Sequence, residues 1–125
     1  MPKGSTIKSY KDLDVWLMAM ALAERCYRVT RDFPREEMYG MTAQIRRAST
    51  SIPANIAEGY GRDQTGSFIQ FLRIAQGSAR EVETHLILAG RVGLLKSDPL
   101  SGLLDECERI SKMLRSLIRS LEARM

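Results

Sequence analysis

The sequence is poor in the residue types that most catalytic and metal sites need. It has one histidine, His85, and two cysteines, Cys26 and Cys107, that lie far apart with no metal-type spacing. Carboxylate-bridged metal sites in helical bundles need Glu-x-x-His on two helices, which a single histidine cannot supply. The cysteines each fall within a helical apolar pattern. They read as small buried hydrophobes in a reducing cytoplasm rather than as a disulfide framework. No stretch alternates apolar and polar over strand length, which excludes a sheet. There is no Gly-rich phosphate loop, and no Ser-His-Asp set can be assembled. Aromatic residues are only 6% of the chain and form no ladder, so a base-stacking platform is not indicated.

Long apolar runs are missing too. The longest, Val15 to Ala23, is too short to cross a bilayer, which needs about 20 residues. MPKGSTIKSY carries no apolar signal region, so a cytoplasmic location is expected. Charge of one sign is also limited. Nineteen Lys and Arg oppose fifteen Asp and Glu, a net +4, which permits contact with nucleic acid without demanding it. Arg outnumbers Lys, and its planar guanidinium suits bidentate contact with carboxylate or phosphate.

What is present is helix. The 125 residues suit one domain with one core. After a polar leader, residues 1–9, Ser9 or Asp12 can cap a first helix from about Lys11 to Asp32. Its apolar positions are Leu13, Trp16, Leu17, Met20, Ala23, Tyr27 and Val29, with Asp14, Arg25, Arg28 and Asp32 on the wet side. Pro34 closes it. A second helix spans about Tyr39 to Arg62 and is ended by Gly59 and Gly61. A third runs from about Thr65 to Val92 and stops at Gly93. Gly77 in its middle suggests close helix contact. A fourth is capped by Asp98 with Pro99 in first position. Its stripe runs from Leu100 through Cys107, Ile110, Leu114 and Ile118 to Leu121. Four helices with short links predict an all-α, antiparallel up-and-down four-helix bundle in a single domain, 1–125.

The second helix organises the rest. Met41, Ile45, Ala48, Ile52, Ile56 and Gly59 form an apolar stripe at about 100° per residue. Beside it runs a polar seam of Gln44, Arg47, Ser51, Asn55 and Glu58. Ala43, Ala54, Ala57 and Gly61 keep the remaining surface small, as close approach by other helices requires. Pro53 cannot donate to Ser49, so a kink is expected there, at roughly 3 kcal/mol in an ordinary helix interior. Ser49, Thr50 and Ser51 can bond the freed carbonyls. Arg47 and Glu58 are eleven residues apart, about 16 Å along the axis, so they pair with a packed neighbour rather than with each other. A helix that is apolar or small on most sides also points to a homo-oligomer.

The stretch QIRRASTSIPANIAEGYGR, with YKDLDVW at Tyr10 to Trp16, Phe33-Pro34 and FLRIAQGSARE at Phe71 to Glu81, resembles the four-helix-bundle family called 23S rRNA-intervening-sequence proteins. The resemblance covers about Tyr10 to Leu121. It implies a small helical protein, often a ring-shaped homopentamer, of a family named for reading frames inside insertions of bacterial large-subunit ribosomal RNA genes. It also implies a relation to the accessory variability proteins of diversity-generating retroelements, which bind nucleic acid and a reverse transcriptase.

Two function classes follow. The first is a non-enzymatic, nucleic-acid-binding oligomer that contacts the RNA or DNA backbone through Arg62, Arg73 and Arg80. Arg73 and Arg80 are seven apart and share a helix face. The second is an assembly scaffold whose partner is a protein such as a reverse transcriptase. A structural role for the same arginines, paired with Asp63, Glu83 or other acids, competes with the first. No cofactor, metal or small-molecule substrate is expected.

Overall fold

The computed structural model describes residues 7–125, so most of the polar leader lies outside the described residues. The chain folds as four helices: α1 (Asp14–Thr30), α2 (Met41–Tyr60), α3 (Thr65–Arg91) and α4 (Ser97–Glu122). They pack antiparallel as a bundle in which each helix lies against the next and α4 closes on α1. Among the described residues there is no strand.

Hydrophobic patterning explains the packing. Ile45, Ile52 and Ile56 of α2 are fully buried against Leu72, Val82 and Leu86 of α3 and Leu103, Ile110 and Leu114 of α4. Burying an aliphatic side chain of this size contributes roughly 1.5–3 kcal/mol. The first helix differs from its expected face. Its core residues are Val15, Ala19, Leu22, Ala23 and Cys26, whereas Leu17, Met20 and Tyr27 are exposed. The continuous apolar run through this helix hides its period.

The helix ends differ as well. Ser9 caps a short 3₁₀ turn, Tyr10–Asp12, and the Asp12 side chain reaches back to the Ser9 backbone N–H. α1 starts only after this turn, at Asp14, with Leu13 before it and no side-chain cap. α4 begins at Ser97, so Asp98 lies within its first turn rather than at its cap. An acid there still favours the positive end of the helix. α3 ends at Arg91, and Gly93 follows with φ 85°, a left-handed conformation that glycine adopts without strain.

Two glycines differ from their expected roles. Gly59 lies inside α2, where a Cβ would stand 2.7 Å from Phe71 Cβ, so it lets α2 and α3 touch. Gly61 alone follows the helix end. Gly77 makes no close helix contact: a Cβ there would meet nothing within 4 Å.

α2 is helical throughout, with Pro53 buried inside it. The hydroxyls before the proline do not go to the Ser49 carbonyl. Ser49 Oγ donates to Arg46 O at 3.1 Å, and Thr50 Oγ1 donates to Arg46 O at 2.9 Å. Ser51 Oγ instead lies 2.8 Å from Ser78 Oγ across the α2–α3 contact.

Candidate nucleic-acid interface and polar seam

α3 carries Arg73 and Arg80 two turns apart on one exposed side. Their position on one face follows from their seven-residue spacing. Each is held by carboxylates. Arg73 donates to Glu122 of α4 at 2.6 Å, and Arg80 donates to Glu83 at 2.8 Å, with Glu108 of α4 at 3.9 Å. The hydrogen bond and charge of Glu83 raise the Arg80 pKa above its ordinary value, so this cation stays charged throughout the working range. Between the two arginines, Gln76, Gly77 and Ser111 line a cleft of about 350 Å³ with them.

Arg62 does not line that cleft. It sits beyond the end of α2, donates to Glu58 at 2.7 Å, and lies over the Phe71 ring at 4.9 Å. The three candidate arginines therefore form a pair plus an outlier, each with an acid partner. All of these ion pairs are about half exposed at the arginine, so each contributes about 0–1 kcal/mol.

The polar seam divides in two. Its inner part is a small hydrogen-bonded network. Asn55 Nδ2 donates to the Ser51 carbonyl at 2.8 Å and to Ser51 Oγ at 3.0 Å, and Ser51 meets Ser78 of α3. Its outer part, Gln44, Arg47 and Glu58, is exposed in the single chain. Glu58 is taken by Arg62. Gln44, Arg47 and Ser51 line a smaller groove with Glu81 of α3. Arg47 has no ion-pair partner among the described residues.

Residue-level reading misses several contacts. Arg46 Nε donates to Thr30 Oγ1 at 2.9 Å, its guanidinium reaches the Tyr27 carbonyl at 3.4 Å, and it lies over the Tyr27 ring at 4.6 Å. It thereby covers the C-terminal turn of α1, where cations and donors are favoured. Arg25, expected on the wet side, instead forms a part-buried ion pair with Glu106 between α1 and α4. A further opening, of about 550 Å³, lies between α1 and α2. Its walls include Trp16, Met20 and Tyr27 on one side and Pro53, Ala54 and Ala57 on the other, with Arg28 and Arg31 also bordering it.

Cys26 and Cys107 are both buried and free. Burial pushes each thiol up to about 12, which leaves both protonated and unreactive near neutrality. Among the described residues, no group of three His, Cys, Asp or Glu could hold a metal ion. None of the four helices is long and apolar enough to cross a membrane.

No curated protein matches the chain. Among solved structures, the crystal structure of a protein of unknown function from the S23 ribosomal protein family of Bacteroides thetaiotaomicron is similar, at 29% identity and a TM-score of 0.75. The match covers 83% of this chain and 97% of that one. The family profile described as 23S rRNA-intervening sequence protein matches residues 11–116, from the turn before α1 to the last turns of α4. The chain therefore belongs to the 23S rRNA-intervening sequence protein family.

Proposed function

We propose that the protein is a non-enzymatic, oligomeric accessory protein of the cytoplasm that binds nucleic acid through its phosphate backbone. The observation that carries this reading is the pairing of Arg73 and Arg80 on one exposed face of α3, either side of an open cleft. Glu122 and Glu108 are half-exposed partners that a phosphate can replace at little cost, whereas Glu83 is less exposed and stays beside Arg80. Arg62 adds charge from a separate position. The family description concerns ribosomal RNA, so structured RNA is the first ligand to try.

One copy of this surface is weak at a net charge of +4. A homo-oligomer repeats it, and linked weak contacts gain from effective concentration. The apolar groove between α1 and α2 supports assembly, and the family resemblance favours a ring of five. Binding should show little sequence preference and fall steeply with salt, because released counterions drive it. The test is a triple variant, Arg62, Arg73 and Arg80→Ala, checked first for intact oligomer. Lower affinity and a shallower salt slope for RNA and DNA support the reading. Parental values for both would remove this surface from the binding site.

The same apolar groove favours a second reading, in which the partner is a protein, such as a reverse transcriptase. A partner captured from cells and retained after nuclease treatment, with no affinity of the purified protein for RNA or DNA, would favour it.

A further inference from the structure

The cleft between α3 and α4 holds a group that the fold leaves unsatisfied. Ser111 is only 3% exposed, it lines the cleft, and its Oγ has no hydrogen-bond partner among the described residues. A serine inside a helix commonly donates to the carbonyl one turn back. This one does not, and a buried hydroxyl without a partner is costly. Such a group calls for a partner from outside the chain.

The rest of the cleft specifies what that partner is. Its other walls are Arg73, Gln76, Gly77 and Arg80, with no carboxylate and no apolar side chain among them. Two guanidinium groups, an amide and a hydroxyl suit an oxyanion with several acceptor oxygens. Gly77 gives the opening. The chain accepts a poor helix former in mid-helix there, yet no packing against a neighbour requires it, since a Cβ would meet nothing within 4 Å. Gly59 and Gly90 differ: a Cβ at either would come within 2.7 Å of a neighbouring side chain.

We infer that this cleft is a phosphate-binding site, with Ser111 Oγ donating from its floor and Arg73 and Arg80 closing over the anion. Ser111 Oγ is buried in the free protein, so the anion reaches it through a local rearrangement of the cleft. Arg73 and Arg80 then exchange their pairs with the half-exposed Glu122 and Glu108 at little cost, and Arg80 also shares its charge between the phosphate and the less exposed Glu83. The inference extends the reading above by placing a backbone phosphate at one point. A free phosphate presents the same chemistry.

The test uses the full chain with inorganic phosphate, followed by calorimetry or phosphorus NMR, and with structured RNA in parallel. Two variants probe the site without touching an arginine. Ser111→Ala removes the hydroxyl alone and relieves its unpaired burial. Gly77→Leu fills the mouth from a position with open space around it. The parent should bind phosphate, and Ser111→Ala should bind it about tenfold more weakly, the factor that a hydrogen bond to a charged group commonly carries. Gly77→Leu should lose binding, and both variants should keep the parent's helix content and oligomer size. Phosphate that displaces RNA from the parent identifies the ligand as nucleic-acid backbone. Phosphate binding at this site, with no RNA or DNA binding by the parent, upholds the site and overturns the nucleic-acid reading. Phosphate binding equal in the parent and both variants, or no phosphate binding by the parent, overturns the site.

Discussion

Gly59 of α2 faces Phe71 of α3 so closely that a Cβ on the glycine would stand 2.7 Å from Phe71 Cβ, with Phe68 Cδ1 at 3.0 Å. Such a gap cannot admit a methyl group without moving a helix. Gly59→Ala should therefore destabilise by about 1–3 kcal/mol, in the range of overpacked cores. Gly77→Ala should act oppositely, adding up to about 1 kcal/mol through helix propensity in open space. Urea midpoints of the two variants check the pair. A shift of the same sign in both would mean that these glycines are misassigned.

Arg46→Ala should cost about 1–2 kcal/mol, because it removes the donor to Thr30 Oγ1 and uncovers the last turn of α1. Arg46→Lys should recover less than half of this. A lysine has no planar group to lie over Tyr27 while donating to Thr30 and the Tyr27 carbonyl. Thermal melts of the three proteins decide it, and equal melting temperatures would show that the cap is not structural.

The two buried thiols make stability depend on alkaline pH. Their folded pKa values lie about 12, raised mainly by burial from an ordinary value of 9.0. A raised pKa means that the folded state holds its proton more tightly than the unfolded one. This contribution is complete below pH 9.0 and is lost as pH climbs towards about 12, by a few kcal/mol in all. Against the parent, a Cys26→Ala, Cys107→Ala double variant should show a shallower fall in stability across that window. An identical slope would remove the thiols as its cause.

Arg47 is exposed in the single chain and borders a groove with Glu81. If the outer seam faces another copy, Arg47→Ala should lower the oligomer size at micromolar concentration and leave helix content intact. Removing one partner of a pair buried by assembly costs roughly 3–5 kcal/mol. Light scattering that shows the parental size would take Arg47 out of the interface.

The number of helices and three of the four core faces are legible in the sequence, because Ile45, Ile52, Leu86, Ile110 and Leu114 repeat at helical spacing. α1 is the exception, since apolar residues surround it and no period singles out Val15, Ala19 and Leu22. Caps fail where two starts compete: Ser9 serves the short turn before α1, and Asp98 falls inside α4. A glycine in the sequence does not say which side of its helix is occupied: Gly59 keeps its place on the apolar stripe but lies inside α2, and Gly77 lacks the expected contact. Arg46 with Thr30, and Arg25 with Glu106, join residues far apart in the chain and leave no local signal. The Arg73–Arg80 face is legible from spacing alone. Ser111 is not, although a serine beside Ile110 inside an otherwise apolar stripe is the one available hint.

The groove shared by α1 and α4 has a topological consequence. Ile7, Leu13 and Val15 line it together with Leu117 and Arg124, so both ends of the described chain meet at one pole of the bundle. The link that contains Gly93 lies at the opposite pole, between α3 and α4. A short peptide joining the ends and a cut at Gly93 would give a circular permutant ordered α4, α1, α2, α3. Every helix would keep its neighbours, and the termini would emerge at the other pole.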